Sequence, residues 1–179
     1  LSSTQLNSLS DDQFAGLTTA QVAAWSTAQV ASLSSAHLNA LTDAQLQALT
    51  SAQVQALPTA SLTALSTHQV AGLTSEQVTA LSTEQAASLL SDQITALSST
   101  QLASVDTADI AALSTTQVQG LSTDFVANLS TSQARALTSS QLSSLSTTQL
   151  QAIETADLSS LSNSQLASLG TELIRNLTT

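Results

Sequence analysis

Residues 17–24 read LTTAQVAA and residues 49–56 read LTSAQVQA, and the same eight-residue unit runs through the chain. A large apolar residue recurs every eight positions from Leu1 to Leu177 without insertion or deletion, and only Trp25, Val105 and Ile153 replace leucine in that row. A fixed short period over a whole chain marks a repeat architecture, in which each unit buries its apolar face against its neighbours. Counted from its leucine, the unit has Ser or Thr in slots 2 and 3, Gln in slot 5, Val, Leu or Ile in slot 6, and Ala or Ser in slot 8.

Ser/Thr followed three residues later by Gln is a capping box: the hydroxyl accepts from a first-turn amide and the Gln side chain reaches back to the cap amide. The slot 1 leucine and the slot 6 residue then stand where a hydrophobic staple forms. Sixteen octads carry Gln in slot 5, so the signal repeats in register. Charge placement agrees, because a helix N-terminus favours anions and its C-terminus favours cations. All twelve acids fall in slots 2 to 5 and both arginines, Arg135 and Arg175, in slot 7. Pro58 stands in the cap slot, and Gly16, Gly72 and Gly120 stand in slot 8, where a helix ends. The spacing therefore predicts a helix over slots 3 to 8 and a corner at slots 1 and 2.

Rival readings fit less well. One continuous helix would bury Ser/Thr pairs in its interior, where they compete for backbone bonds, and its apolar stripe would drift by roughly 80° per octad. A β-solenoid would need alternation within strands and glycine-rich corners, yet the chain has four glycines. Disorder is opposed by the leucine row. Helices this short are unstable alone, since isolated helices below about twelve residues are marginal in water. The expected fold is all-α: a repeat solenoid or superhelix of very short helices, one per octad, with slots 1 and 6 facing its axis.

A longer period overlies the octad. Residues 57–64 (LPTASLTA), 105–112 (VDTADIAA) and 153–160 (IETADLSS) resemble one another and begin 48 residues, or six octads, apart. Duplication of a six-octad block explains this, and so does a winding of two, three or six octads per turn. We expect residues 1–179 to be a single continuous array, 22 full octads and a partial one, cut from a longer chain.

Composition narrows the function classes. Twelve acids against two arginines, with no lysine, leave a net charge of −10, which argues against nucleic acid or an anionic membrane as partner. The absence of cysteine removes disulfides and thiolate metal sites. No run of apolar residues is long enough to span a bilayer, so membrane insertion is not expected.

Few residues carry chemistry. His37 takes the place of a capping Gln and His68 lies in a first helical turn; two histidines without a third ligand make poor metal chemistry. Asp106 with Asp109 and Glu154 with Asp157 are carboxylate pairs, but calcium wants six to eight oxygens, and helix N-terminal acids account for them. Serines abound without a positioned base. We assign no catalytic residue, metal or cofactor and do not expect an enzyme. Leu90, Phe125 and Leu173 place apolar groups where Ser/Thr or Gln is the rule, and are the candidate contact surface. Trp25 sits in the leucine row and is expected in the core. Asn128-Leu-Ser and Asn176-Leu-Thr match the glycosylation acceptor pattern.

The unit Leu-Ser/Thr-x-x-Gln-Val/Leu-x-Ala, as in residues 17–24 and 49–56, resembles octapeptide arrays of very large bacterial secreted or surface proteins of the adhesin-like and haem-utilisation-like kind. That resemblance implies an extracellular or cell-surface location. The expected role is structural: a spacer, stalk or self-assembling filament segment that associates with itself or continues into further repeats. The alternative is a binding module that displays a recurring face to a protein, glycan or ice surface.

Overall fold

In a computed structural model of the chain, residues 1–169 are described, and they form twenty-one short α-helices from α1 (Ser3–Leu6) to α21 (Asn163–Ser168). No strand occurs among the described residues. Each helix starts in slot 3 of its octad, as the capping pattern predicts, and ends in slot 6, 7 or 8. At a representative start, Ser114 is extended (φ −69°, ψ 157°), its hydroxyl accepts from the Gln117 amide, and Gln117 Oε1 accepts from the Ser114 amide at 2.7 Å. At the other end the slot 1 amide donates to the slot 6 carbonyl, as Leu145 does to Leu142. Where slot 8 is serine, its hydroxyl commonly caps the slot 5 carbonyl, as Ser144 does to Gln141 at 2.7 Å.

Four starts depart from the rule. Pro58, Leu90, Asp106 and Glu154 occupy the cap position without a side-chain cap bond. At Leu90 the Gln93 side chain still accepts from the cap amide, at 2.8 Å. The half of the box supplied by slot 5 therefore persists when slot 2 has no acceptor.

The chain divides into two compact units, Leu1–Leu89 and Leu90–Thr179. In the first, α2 (Asp11–Ala15) packs on α5 (Ser35–Ala40), and α8 (Thr59–Thr63) on α11 (Thr83–Ser88). In the second, α12 (Ser91–Thr95), α15 (Thr115–Gly120), α18 (Ser139–Ser144) and α21 stack in one column. Alongside it stands the column of α14 (Thr107–Ala112), α17 (Thr131–Ala136) and α20 (Thr155–Ser160). Within each unit most helices thus lie on the third one before them, the arrangement of a solenoid.

Slots 1 and 6 fill the interior, as expected: Val118, Leu142 and Leu150 are at most 1% exposed, and Leu121, Leu137 and Leu145 line the same core. Full burial of such a side chain stabilises by roughly 1.5–3 kcal/mol, which one short helix cannot collect without neighbours. Trp25 is buried, its ring 5.9 Å from that of Phe14, which in turn stacks on His37 at 4.4 Å.

Within each unit, the cross-turn hydrogen bonds join residues 25 to 31 apart, beyond the 24 of three whole octads. Helices three apart pack on one another, so about three octads make a turn and six octads about two, and the 48-residue period accords with the winding as well as with block duplication. Positions related by that period still differ in their surroundings, as Gly72 and Gly120 do. A Cβ on Gly72 would meet nothing closer than 3.4 Å, whereas one on Gly120 would lie 2.6 Å from Ser91 Cβ. Gly120→Ala is expected to destabilise the chain by about 1–3 kcal/mol through this overlap. Gly72→Ala, with a φ of −77° that alanine adopts freely, is expected to be neutral or slightly stabilising. Urea unfolding of the two variants would show the contrast, and equal midpoints would contradict it.

Candidate functional site

The slot 5 glutamines do more than cap. A helix leaves its last carbonyls without intrahelical donors, and in an array of very short helices these orphans recur in every octad. The carboxamide of Gln141 resolves them across the turn. Its Oε1 accepts from the Thr138 amide at 2.7 Å, while Nε2 donates to the carbonyls of Ile110 at 2.9 Å and Leu113 at 2.7 Å. Gln149 does the same to Val118, Gln119 and Leu121, and Gln45 to Phe14, Ala15 and Leu17. Gln53, Gln69, Gln77, Gln85, Gln133 and Gln165 repeat the contact over 28 to 31 residues. All these glutamines are buried. One planar amide thus ties a helix start to the corner one turn earlier, and the repetition makes a polar ladder beside the apolar core. The capping pattern predicted only the Oε1 half of this contact.

Exceptions to the ladder are informative. His37 reproduces the Gln contact, with Nε2 3.1 Å from the Leu9 carbonyl and Nδ1 3.1 Å from Asn7 Oδ1. It is a ladder residue rather than a surface one. Asp157, 3% exposed, accepts from the Thr131 hydroxyl at 2.7 Å, so here an acceptor in slot 5 recruits a slot 3 donor of the previous turn. Asp109 is likewise buried in slot 5, while its partner in the sequence pair, Asp106, is exposed, as is Glu154. His68 forms an exposed pair with Asp43 at 2.9 Å, of the kind that contributes little. No cluster of three or more His, Cys, Asp or Glu side chains suited to a metal occurs among the described residues.

The candidate contact residues separate. Leu90 is exposed (54%) at the cap of α12. The expectation that Phe125 faces solvent is corrected: it is 5% exposed, because slot 5 points toward the previous turn, and its side chain lies with Leu113, Leu121 and Leu145. Leu173 lies outside the described residues, as does Asn176. Asn128 is exposed at the end of α16 (Thr123–Ala127), where its Nδ2 donates to the Asp124 carbonyl at 2.7 Å.

A family model described as the ALTTAQ repeat matches residues 1–27, 26–59, 56–91 and 102–139, well over half of the chain. The chain belongs to the ALTTAQ repeat family. No curated protein matches it. The letters of the repeat run from slot 8 to slot 5, as in ALTDAQ at residues 40–45 and ALTSAQ at 48–53. Within the fold, Leu of this motif enters the core, the first Thr caps the helix, and Gln holds the ladder. As a member of that family the chain is a tandem repeat whose defining residues build the scaffold.

Proposed function

We propose that this array is a structural element of a bacterial secreted or surface protein, serving as a spacer, stalk or filament-forming segment. The observation that carries the reading is the ladder. Octads with Gln in slot 5 use the same donor and the corresponding carbonyls from one turn to the next, so the array lengthens by a local rule that contains no stop. No helix of the described residues is long and apolar enough to cross a membrane. The extracellular setting rests on the resemblance to giant bacterial surface proteins, and the acidic, cysteine-free composition accords with it.

Electron microscopy of the purified chain, beside a version extended by six octads, tests the proposal. A spacer gives particles whose length grows in proportion to the octads added, and a filament former gives fibres with a regular axial repeat at high concentration. Short rods at every concentration would remove self-assembly and leave the spacer. Compact particles that do not lengthen would remove both.

A further inference from the structure

The slot 5 amide is missing at Ser61, Asp109, Phe125 and Asp157, and octad 121–128 is the one of these whose slot 5 residue, Phe125, is apolar. By the register of its neighbours, a Gln there would donate to the carbonyls of the octad four units earlier and to the next slot 1 carbonyl. Those acceptors are Ile94, Thr95 and Leu97. With Phe125 turned toward the core, no group among the described residues donates to the carbonyls of Thr95 and Leu97, while that of Ile94 keeps its bond from the Leu97 amide. Packing beside the gap is open. Among the described residues of the second unit, α13 (Ser99–Ala103) and α16 are the one pair three helices apart that does not pack closely. Leu97 is only half-buried, unlike most of its row. A groove of about 370 Å³ opens there, lined by Thr95, Leu97, Ser99, Ser122, Asp124 and Asn128, with Phe125 at its inner side.

The chemistry of this groove is that of acceptors. Two backbone carbonyls lack donors, and Asp124 adds a carboxylate. Asn128 adds its amide oxygen, while its Nδ2 gives one N–H to the Asp124 carbonyl and keeps the other. The Ser122 hydroxyl accepts from the Phe125 amide and retains its own hydrogen. At Gln141 and Gln149 the corresponding pair of carbonyls is spanned by a planar NH₂ group, and the carboxylate here selects a cationic version of it. A guanidinium is planar, carries several N–H donors and pairs with carboxylates in two-bond geometry, whereas an ammonium is a compact, strongly hydrated charge. The net charge of −10 favours approach of such a group.

We propose that the groove between α13 and α16 is a binding site for the guanidinium of an arginine side chain presented by a partner polypeptide. Its NH₂ groups take the place of the missing Gln amide on Thr95 and Leu97, and Asp124 holds its charge. The site rests on the gap in the ladder and is independent of whether the array acts as spacer or filament.

The test is a titration of the isotope-labelled chain with N-acetyl-arginine amide, followed by amide resonances, with N-acetyl-lysine amide as the comparison probe. The expected result is saturable perturbation confined to residues 94–99 and 122–128, with the lysine probe weaker by about tenfold. Phe125→Gln supplies the chain's own NH₂ group and is expected to abolish the effect. Asp124→Asn, at an exposed position where folding is not at stake, is expected to weaken binding by about tenfold. Absence of localised shifts in the parent chain would overturn the proposal. Equal response to the two probes would do the same, as would arginine binding that survives Phe125→Gln or is indifferent to Asp124→Asn.

Discussion

Replacing Gln149 by leucine is expected to destabilise the second unit by about 2–3 kcal/mol, because it leaves the buried Leu121 carbonyl without a partner and removes the bonds to the more exposed Ser146 amide and Gln119 carbonyl, at roughly 1–3 kcal/mol for a buried group. Gln149 is 4% exposed and joins the Ser146 amide to the carbonyls of Val118, Gln119 and Leu121. Leucine has similar bulk and no polar atom, so the loss falls on hydrogen bonding rather than volume. Gln149→Glu keeps the acceptor for Ser146 but aims a carboxylate at three carbonyls, and is expected to be at least as damaging. Gln13→Leu is the control. That residue is exposed and makes only the local capping box, so its loss is expected to cost about 1 kcal/mol. Urea unfolding followed by far-ultraviolet circular dichroism would separate the two roles. Equal shifts for Gln13→Leu and Gln149→Leu would mean that the cross-turn contact contributes nothing beyond the cap.

The second large effect is expected in the apolar core. Leu142, in slot 6 of α18, is 0% exposed, and Leu142→Ala is expected to cost about 2–5 kcal/mol from lost transfer energy and the cavity left behind. Ala134 already occupies slot 6 of α17 at 1% exposure, so the array tolerates alanine there where the surrounding packing has closed around it. Leu142→Ala cannot benefit from such closure in a chain otherwise unchanged. In a repeat stack each unit is held by its neighbours, so the damage should be local. Hydrogen exchange should accelerate first in α15, α18 and α21, the helices stacked in one column. Uniform acceleration over the whole unit would instead show that its helices open together.

Both predictions turn on one division of labour. The apolar slots supply stabilisation that grows with every octad, and the glutamines remove the cost of ending a helix so often. Without the ladder, each octad would leave carbonyls beside the core with no donor, a recurrent penalty of the kind proteins avoid. The ALTTAQ unit meets that penalty with a single side chain whose two ends face different turns.

Much of this was legible in the amino-acid order. The helix in each octad, its start at slot 3, its cap in slot 2 and the inward row of slots 1 and 6 depend on contacts within a few residues. Capping and apolar spacing report such contacts directly. Trp25 behaves as its place in the leucine row implies. The tertiary structure alone decided what happens across the turn. The donor end of each glutamine, the ladder role of His37 and the tight approach of Gly120 to Ser91 depend on residues more than 24 positions away, and the inward turn of Phe125 on Leu113 and Leu145, 12 and 20 positions away. Which residues meet there is set by the small angle between successive helices, and that angle is not written in any one octad. A one-octad change in the winding would move every glutamine to a different set of carbonyls while leaving each capping box intact. The octad therefore determined the helix, and the winding determined its partners.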